Sequence, residues 1–265
     1  MPSAPDSVFI GVSTKMYMGC AQSLAWLEQL VAEVDARPAL AAGRVVPFVI
    51  PSFPVLPEAA RLIAGTPLIL GAQNCGWSDG PWTGEVSPSM LAELGVGLVE
   101  IGHAERRRYF AEDDAMIALK VSAAVDAGLT PLLCVGESEV LEPEAAAAAV
   151  FLQIKAAVSG DWSVASQLVV AYEPVWAIGA PEPAAAEYVS RVVAALRGSL
   201  GQHGLAGIPI IYGGSAKPGL LPQLDGVSGL FLGRFAHDAS NFGRVLDEAL
   251  SFCTADALKA PSKGH

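Results

Sequence analysis

Eight short apolar runs, each ended by Gly, Pro or a polar residue, constrain this 265-residue chain more than any other feature. They are VFIGVS (8–13), VVPFVI (45–50), LILGA (68–72), LVEIG (98–102), LLCVG (132–136), LVVAY (168–172), IPIIY (208–212) and GLFLG (229–233). The runs are continuous rather than alternating, which predicts strands buried on both faces and so a parallel sheet under helices. Helix-compatible segments fill the intervals: 21–35, 54–64, 87–94, 114–127, 143–157, 184–200, 218–224 and 240–252. Eight strand–helix units over about 245 residues match a closed (β/α)8 barrel. An open doubly wound sheet is the runner-up. It lacks its dinucleotide fingerprint, because GVSTKMYMG after the first strand has the wrong glycine spacing. The expectation is one α/β domain over residues 1–265, with its core at about 8–252, a short N-terminal extension and a tail frayed after about residue 254.

Composition removes several classes of function. A mean hydropathy of +0.43 invites a membrane reading. No apolar run of about 18 residues is free of charge or proline, however, so none reads as a membrane span. The net charge of −11 has the wrong sign for a phosphate-backbone binder, so nucleic acid is not an expected partner. The one basic cluster, Arg106-Arg107-Arg108, reads as a solvated helix start paired with nearby acids. Cys20, Cys75, Cys134 and Cys253 show no metal-ligand spacing, and MPSAPDSVFIG carries no secretory signal. The expected setting is reducing and cytoplasmic, with inert cysteines and no metal or cofactor.

Barrels place function at the C-terminal ends of their strands. Those ends carry Lys15 after the first strand, His103 after the fourth and Glu173 after the sixth. The last two loops add Tyr212-Gly213-Gly214-Ser215 and Gly233-Arg234. Singly, each has a plainer reading: a solvated lysine, a helix-capping histidine, a glutamate paired to an arginine. Together, a cation, an imidazole and a carboxylate at one mouth beside glycine-rich loops make a site. His203, His237 and His265 read as loop, surface and tail positions, and Asp113 and Asp114 as the entry to a helix.

The motifs AYEPVWAIG (171–179), EIGHAERR (100–107), CVGE, GAQN…WTGE and YGGS resemble the triosephosphate isomerase family, from about residue 8 to residue 250. That resemblance implies a TIM barrel, no cofactor, and a small phosphorylated ketose as substrate. It implies that Glu173 takes a proton from the carbon beside a ketone. His103, kept neutral by the start of the helix at AERRR, would polarise the carbonyl and shuttle protons between oxygens; triosephosphate isomerase itself is the worked example of this arrangement. Lys15 would offset oxyanion and phosphate charge, with Glu105 behind it. Glycines at 213, 214 and 233, with Tyr212 and Ser215, would let the backbone approach a phosphate. Pro174-Val175-Trp176 resembles the first hinge of a mobile lid, with Gly179 near its tip. Thr83 and Glu85 fall in the loop that contacts the partner in the family's homodimer.

Several residues depart from the family pattern. Ser13-Thr14-Lys15 stands where Asn-Trp-Lys is usual, and Ala104 where Ser follows the histidine. Pro181 and Pro183 stiffen the second hinge, and Arg234 replaces the second of two phosphate-loop glycines. Ser13, Gly233-Arg234 and WSDGPWTGE are similar to a branch that isomerises L-erythrulose 1-phosphate to D-erythrulose 4-phosphate in erythritol breakdown. Ser13 and Ala104 both remove atoms, which suits a substrate larger by one hydroxymethyl, and Arg234 could grip phosphate in a bidentate manner. Two other readings stay open: a triosephosphate isomerase with drifted loops, and a non-catalytic barrel that binds a phosphorylated ligand.

Overall fold

The computed structural model describes residues 7–180 and 182–259, with side chains through Thr254. Residues 1–6, Pro181 and residues 260–265 lie outside it, so the N-terminal extension, the stiffening role of Pro181 and the reading of His265 fall outside the described residues.

The apolar runs are strands. β1 (Val8–Ser13), β2 (Val45–Ile50), β3 (Ile69–Ala72), β4 (Leu98–Ile101), β5 (Thr130–Val135), β6 (Val169–Tyr172), β7 (Ile210–Gly214) and β8 (Gly229–Leu232) pair in sequence order. β8 returns to β1 in parallel, with Phe9 opposite Gly229 and Val12 opposite Leu232, and closes the barrel. Alternate strand residues point inward. Phe9, Phe48, Leu98, Leu132, Val169, Ile211 and Phe231 fill the interior, where Phe48 and Phe231 stack with ring centroids 5.7 Å apart. Each buried side chain of this size contributes roughly 1.5–3 kcal/mol of transfer free energy.

The helices cover the outside: α1 (Cys20–Asp35), α2 (Leu56–Ile63), α3 (Pro88–Glu93), α4 (Ala104–Tyr109), α5 (Asp114–Asp126), α6 (Pro143–Ala157), α7 (Trp162–Ala165), α8 (Ala186–Gly201) and α9 (Ala239–Lys259). On α1 the apolar stripe is Trp26, Leu27, Leu30 and Val34, all buried, at the spacing a barrel-facing helix needs. Asp113 caps α5, its Oδ1 accepting from the Met116 N–H at 2.8 Å, as its position suggested.

Two expectations are corrected. The segment 218–224 holds only a 3-10 turn, Leu221–Gln223. Pro222 has no N–H to give a helix, and Gly219 sits at φ +91°. The last helix, expected over 240–252, runs from Ala239 to Lys259. No helix among the described residues is long and apolar enough to cross a membrane.

Candidate active site

The mouth of the barrel holds a cavity of about 520 Å³, within the range of small-molecule sites. Lys15, His103, Glu105 and Glu173 line it together, with Ser13 from β1 and Gly179 from the segment after β6. Gly214, Ser215, Gly233 and Arg234 line it as well. Convergence of three distant strand ends follows from closure of the barrel, which brings every strand's C-terminal end to one rim.

Each central side chain has a fixed local environment. Glu173 ends β6 because Pro174 cannot continue the ladder, and its own N–H donates to Val135 O at 2.8 Å. Glu173 is 6% exposed, and its Oε2 is buried without a hydrogen-bond partner among the described residues. That oxygen lies 3.5 Å from His103 Nε2. His103 caps α4: its Nδ1 accepts the Glu105 backbone N–H at 3.1 Å. An accepting Nδ1 carries no proton, so the single proton of a neutral ring sits on Nε2, facing Glu173 and the cavity.

Lys15 reaches the site from a left-handed backbone at φ +49°. For a non-glycine residue this conformation costs of order 1–3 kcal/mol and is characteristic of functional positions. Its Nζ donates to Glu105 Oε1 at 2.5 Å. Burial alone would lower the lysine's pKa. The hydrogen bond and charge of Glu105, with Glu173 and Glu100 further off, outweigh that and raise it. Glu105 therefore has two tasks, setting the imidazole through its N–H and the lysine through its carboxylate.

The expected phosphate residues divide. Tyr212 and Gly213 do not line the cavity, which corrects the reading of YGGS as one loop. β7 continues through Gly214, so alternate residues face opposite ways. Tyr212 points outward into the core, and its hydroxyl accepts the Ala184 N–H at 3.0 Å. At Gly213 a Cβ would stand 2.5 Å from Glu173 Cγ and Oε1, so this glycine makes room for the Glu173 carboxylate. Ser215 lines the cavity and spends its hydroxyl on Ala180 O at 2.5 Å, tying the segment after β6 to the loop after β7. Arg234 is exposed at the start of the 3-10 turn Arg234–His237; no acid pairs with it among the described residues, and its guanidinium lies 5.8 Å from the Tyr17 ring centroid. Thr83 and Glu85 stand in an exposed loop away from the cavity.

Other residues depart from their expected places. His237, read as surface, lines the cavity, and burial followed by the charge of Arg234 lowers its pKa. Arg106 and Arg107 pair with Glu112 and Asp114 as expected, at 2.5 and 2.6 Å, but Arg108 lines the cavity. Burial pushes the Cys75 thiol up to about 12 and the Cys134 thiol well above its usual value, which suits inert thiols at these two positions, whereas Cys20 is exposed. Glu137, the glutamate of CVGE, gathers three donors: the hydroxyls of Tyr172 and Tyr188 and the Trp176 indole N–H, at 2.8 to 3.2 Å. It pins the first hinge to β6 and α8.

The largest omission from the sequence reading is Glu100. It lies inside β4, 4% exposed, and lines the cavity. Ser13 Oγ donates to its Oε2 at 2.9 Å, while Oε1 stands 3.9 Å from His103 Nε2. Burial raises its pKa to about 7, assisted by the Glu173 charge and opposed by His103, Ser13 and Lys15. The sequence signal was a carboxylate at an inward-facing position of an otherwise apolar strand.

A buried carboxylate beside an imidazole, with a lysine lining the same cavity, is suited to lifting a proton from carbon and meeting charge on the adjacent oxygen. This fold and site define an isomerase working through proton transfer. The chain belongs to the triosephosphate isomerase family, whose model matches residues 8–249. It is 48% identical over 255 residues to an L-erythrulose-1-phosphate isomerase of Pectobacterium atrosepticum, covering 91% of this chain and 95% of that one. A triosephosphate isomerase of Thermoanaerobacter pseudethanolicus is 38% identical over 244 residues, covering 88% and 96%. Among solved structures, triosephosphate isomerase from Bartonella henselae is similar with a TM-score of 0.75 at 32% identity, covering 91% and 98%.

Proposed function

We propose that this chain converts L-erythrulose 1-phosphate to D-erythrulose 4-phosphate through an enediolate. The observation that carries the chemistry is the 3.5 Å approach of Glu173 Oε2 to His103 Nε2 in a cavity that Lys15 also lines. The substrate reading is supported by the 48% identity to the Pectobacterium enzyme, against 38% for the Thermoanaerobacter triose enzyme. Ser13 and Ala104, both small, line the cavity beside the base.

With the phosphorylated carbon as C1 and the ketone at C2, Glu173 removes the C3 proton. The electron pair moves toward the C2 oxygen, whose growing charge is met by His103 Nε2–H and Lys15. His103 then carries a proton between the C2 and C3 oxygens, and Glu173 returns its proton to C2. The carbonyl now sits at C3, and numbering from the other end makes the product D-erythrulose 4-phosphate. One carbon is oxidised as its neighbour is reduced, so the atoms balance without a cofactor. Gly179, Gly214, Ser215, Gly233 and Arg234 hold the phosphate, and residues 174–180 cover it, excluding water.

The test compares kcat/KM for L-erythrulose 1-phosphate and dihydroxyacetone phosphate, with Glu173→Gln as the blank. The expected preference for the tetrulose is about a hundredfold or more, roughly 2.7 kcal/mol of discrimination. A preference for the triose would make the chain a triosephosphate isomerase. Activity that survives Glu173→Gln undiminished would remove the proposed base.

We also infer a homodimer. Met16 is 90% exposed and Tyr17 60% beside the site, and the loop carrying Thr83 and Glu85 projects into solvent, a combination suited to mutual cover by a second copy. Sedimentation at the 27.4 kDa of one chain would refute this.

A further inference from the structure

Five strand residues line the cavity: Ser13, Glu100, Gly214, Phe231 and Leu232. Of these, Ser13 and Glu100 alone bring polar side chains, and they are bonded to each other. Burying a carboxylate on the inner wall of an apolar barrel is costly. Ser13, His103 and Lys15 offset only part of that cost here. Among the described residues no lysine or arginine comes within ion-pair distance of Glu100, and His103 Nε2 at 3.9 Å is too far for a hydrogen bond. An apolar side chain would pack against Leu98 and Leu132 at less expense. One carboxylate oxygen is held by Ser13, and the other has no hydrogen bond from the protein among the described residues and stands at the edge of the reacting groups.

We propose that Glu100, positioned by Ser13, is the specificity-determining residue that hydrogen-bonds the hydroxymethyl group on the substrate carbon that loses its proton. This rests on the tetrulose reading given above and names the side chain behind it. That carbon must lie within reach of Glu173, and its oxygen within reach of His103 Nε2. Its remaining substituent, absent from a triose phosphate, extends two bonds further. Glu100 Oε1, on the wall next to the same imidazole nitrogen, is the strand-borne acceptor in that range. Ser13 thus has two effects: its short side chain leaves room, and its hydroxyl fixes which carboxylate oxygen faces the substrate.

The test uses wild type, Glu100→Gln and Glu100→Leu with L-erythrulose 1-phosphate and its 4-deoxy analogue, which keeps the carbon skeleton and lacks only the terminal hydroxyl. Glu100→Leu is expected to lower kcat/KM about a hundredfold further for the natural tetrulose than for the 4-deoxy analogue, with Glu100→Gln in between. An equal loss on both substrates would mean that Glu100 acts on the shared chemistry, and the proposal fails. Should Glu100→Leu melt at assay temperature, the wild type still decides: equal kcat/KM for the two substrates overturns the proposal. Failure of the tetrulose reading looks different, since wild type would then prefer dihydroxyacetone phosphate over L-erythrulose 1-phosphate whatever Glu100 does.

Discussion

The cavity has two unlike sides. The side built on β1, β4 and β6 consists of buried, mutually bonded side chains: Ser13 on Glu100, the Glu105 N–H on His103, Glu173 within 3.5 Å of the imidazole. The side built by the loops after β6, β7 and β8 includes glycines, Ser215, His237 and the exposed cations Lys217 and Arg234. Backbone on the strand side cannot move without disturbing a packed barrel. The loop side is solvated and screened. The difference suits a division of labour in which the strand side sets the chemistry and the loop side sets how firmly the phosphate is held. Substitutions on the strand side should therefore act on kcat, and those on the loop side on KM.

Gly213→Ala is the sharpest probe of the strand side. The new Cβ would lie 2.5 Å from Glu173 Cγ and Oε1, atoms at the movable end of a side chain. The base can swing aside at little cost to the fold, and then no longer points at the substrate carbon. A displacement of this size is expected to lower kcat about a hundredfold while leaving KM within a few-fold. Thermal unfolding should hardly shift. Gly136→Ala makes the contrasting control, because its Cβ would meet the Glu173 backbone oxygen at 1.9 Å and only the backbone could yield. Full kcat in Gly213→Ala would show that the base is not held where the strand side places it.

How far the sequence discloses this arrangement follows the same division. Continuous apolar runs mark the strands because both faces of each strand are buried, and Lys15, His103 and Glu173 are visible because barrel closure sends strand ends to one rim. Their partners are harder to read. Glu100 hides inside LVEIG, where strand parity alone distinguishes an inward carboxylate from an outward one. Tyr212 and Gly213 resemble loop residues because Gly-Gly suggests a turn, yet the ladder to β8 carries the strand through Gly214 opposite Leu232. The three donors on Glu137 come from residues 35, 39 and 51 positions away, a distance at which spacing carries no signal.

Arg234 offers the smallest effect and the cleanest test of the loop side. Its guanidinium is exposed, without an acid partner among the described residues, and lies 5.8 Å from the Tyr17 ring centroid, close enough for a weak cation–π contact that holds it beside the cavity. A charged hydrogen bond to phosphate in so wet a place is worth far less than one inside the barrel. Arg234→Ala is thus expected to raise KM about tenfold, near 1.4 kcal/mol, with kcat within about threefold. Because the contact is screened, wild-type KM should climb with ionic strength, and the variant's should climb less. Steady-state kinetics at low and high salt measure both slopes. Parallel slopes would mean that Lys217 or backbone donors carry the phosphate, and a fall in kcat comparable to that in Gly213→Ala would break the separation between the two sides, since an exposed loop cation would then be shaping the transition state.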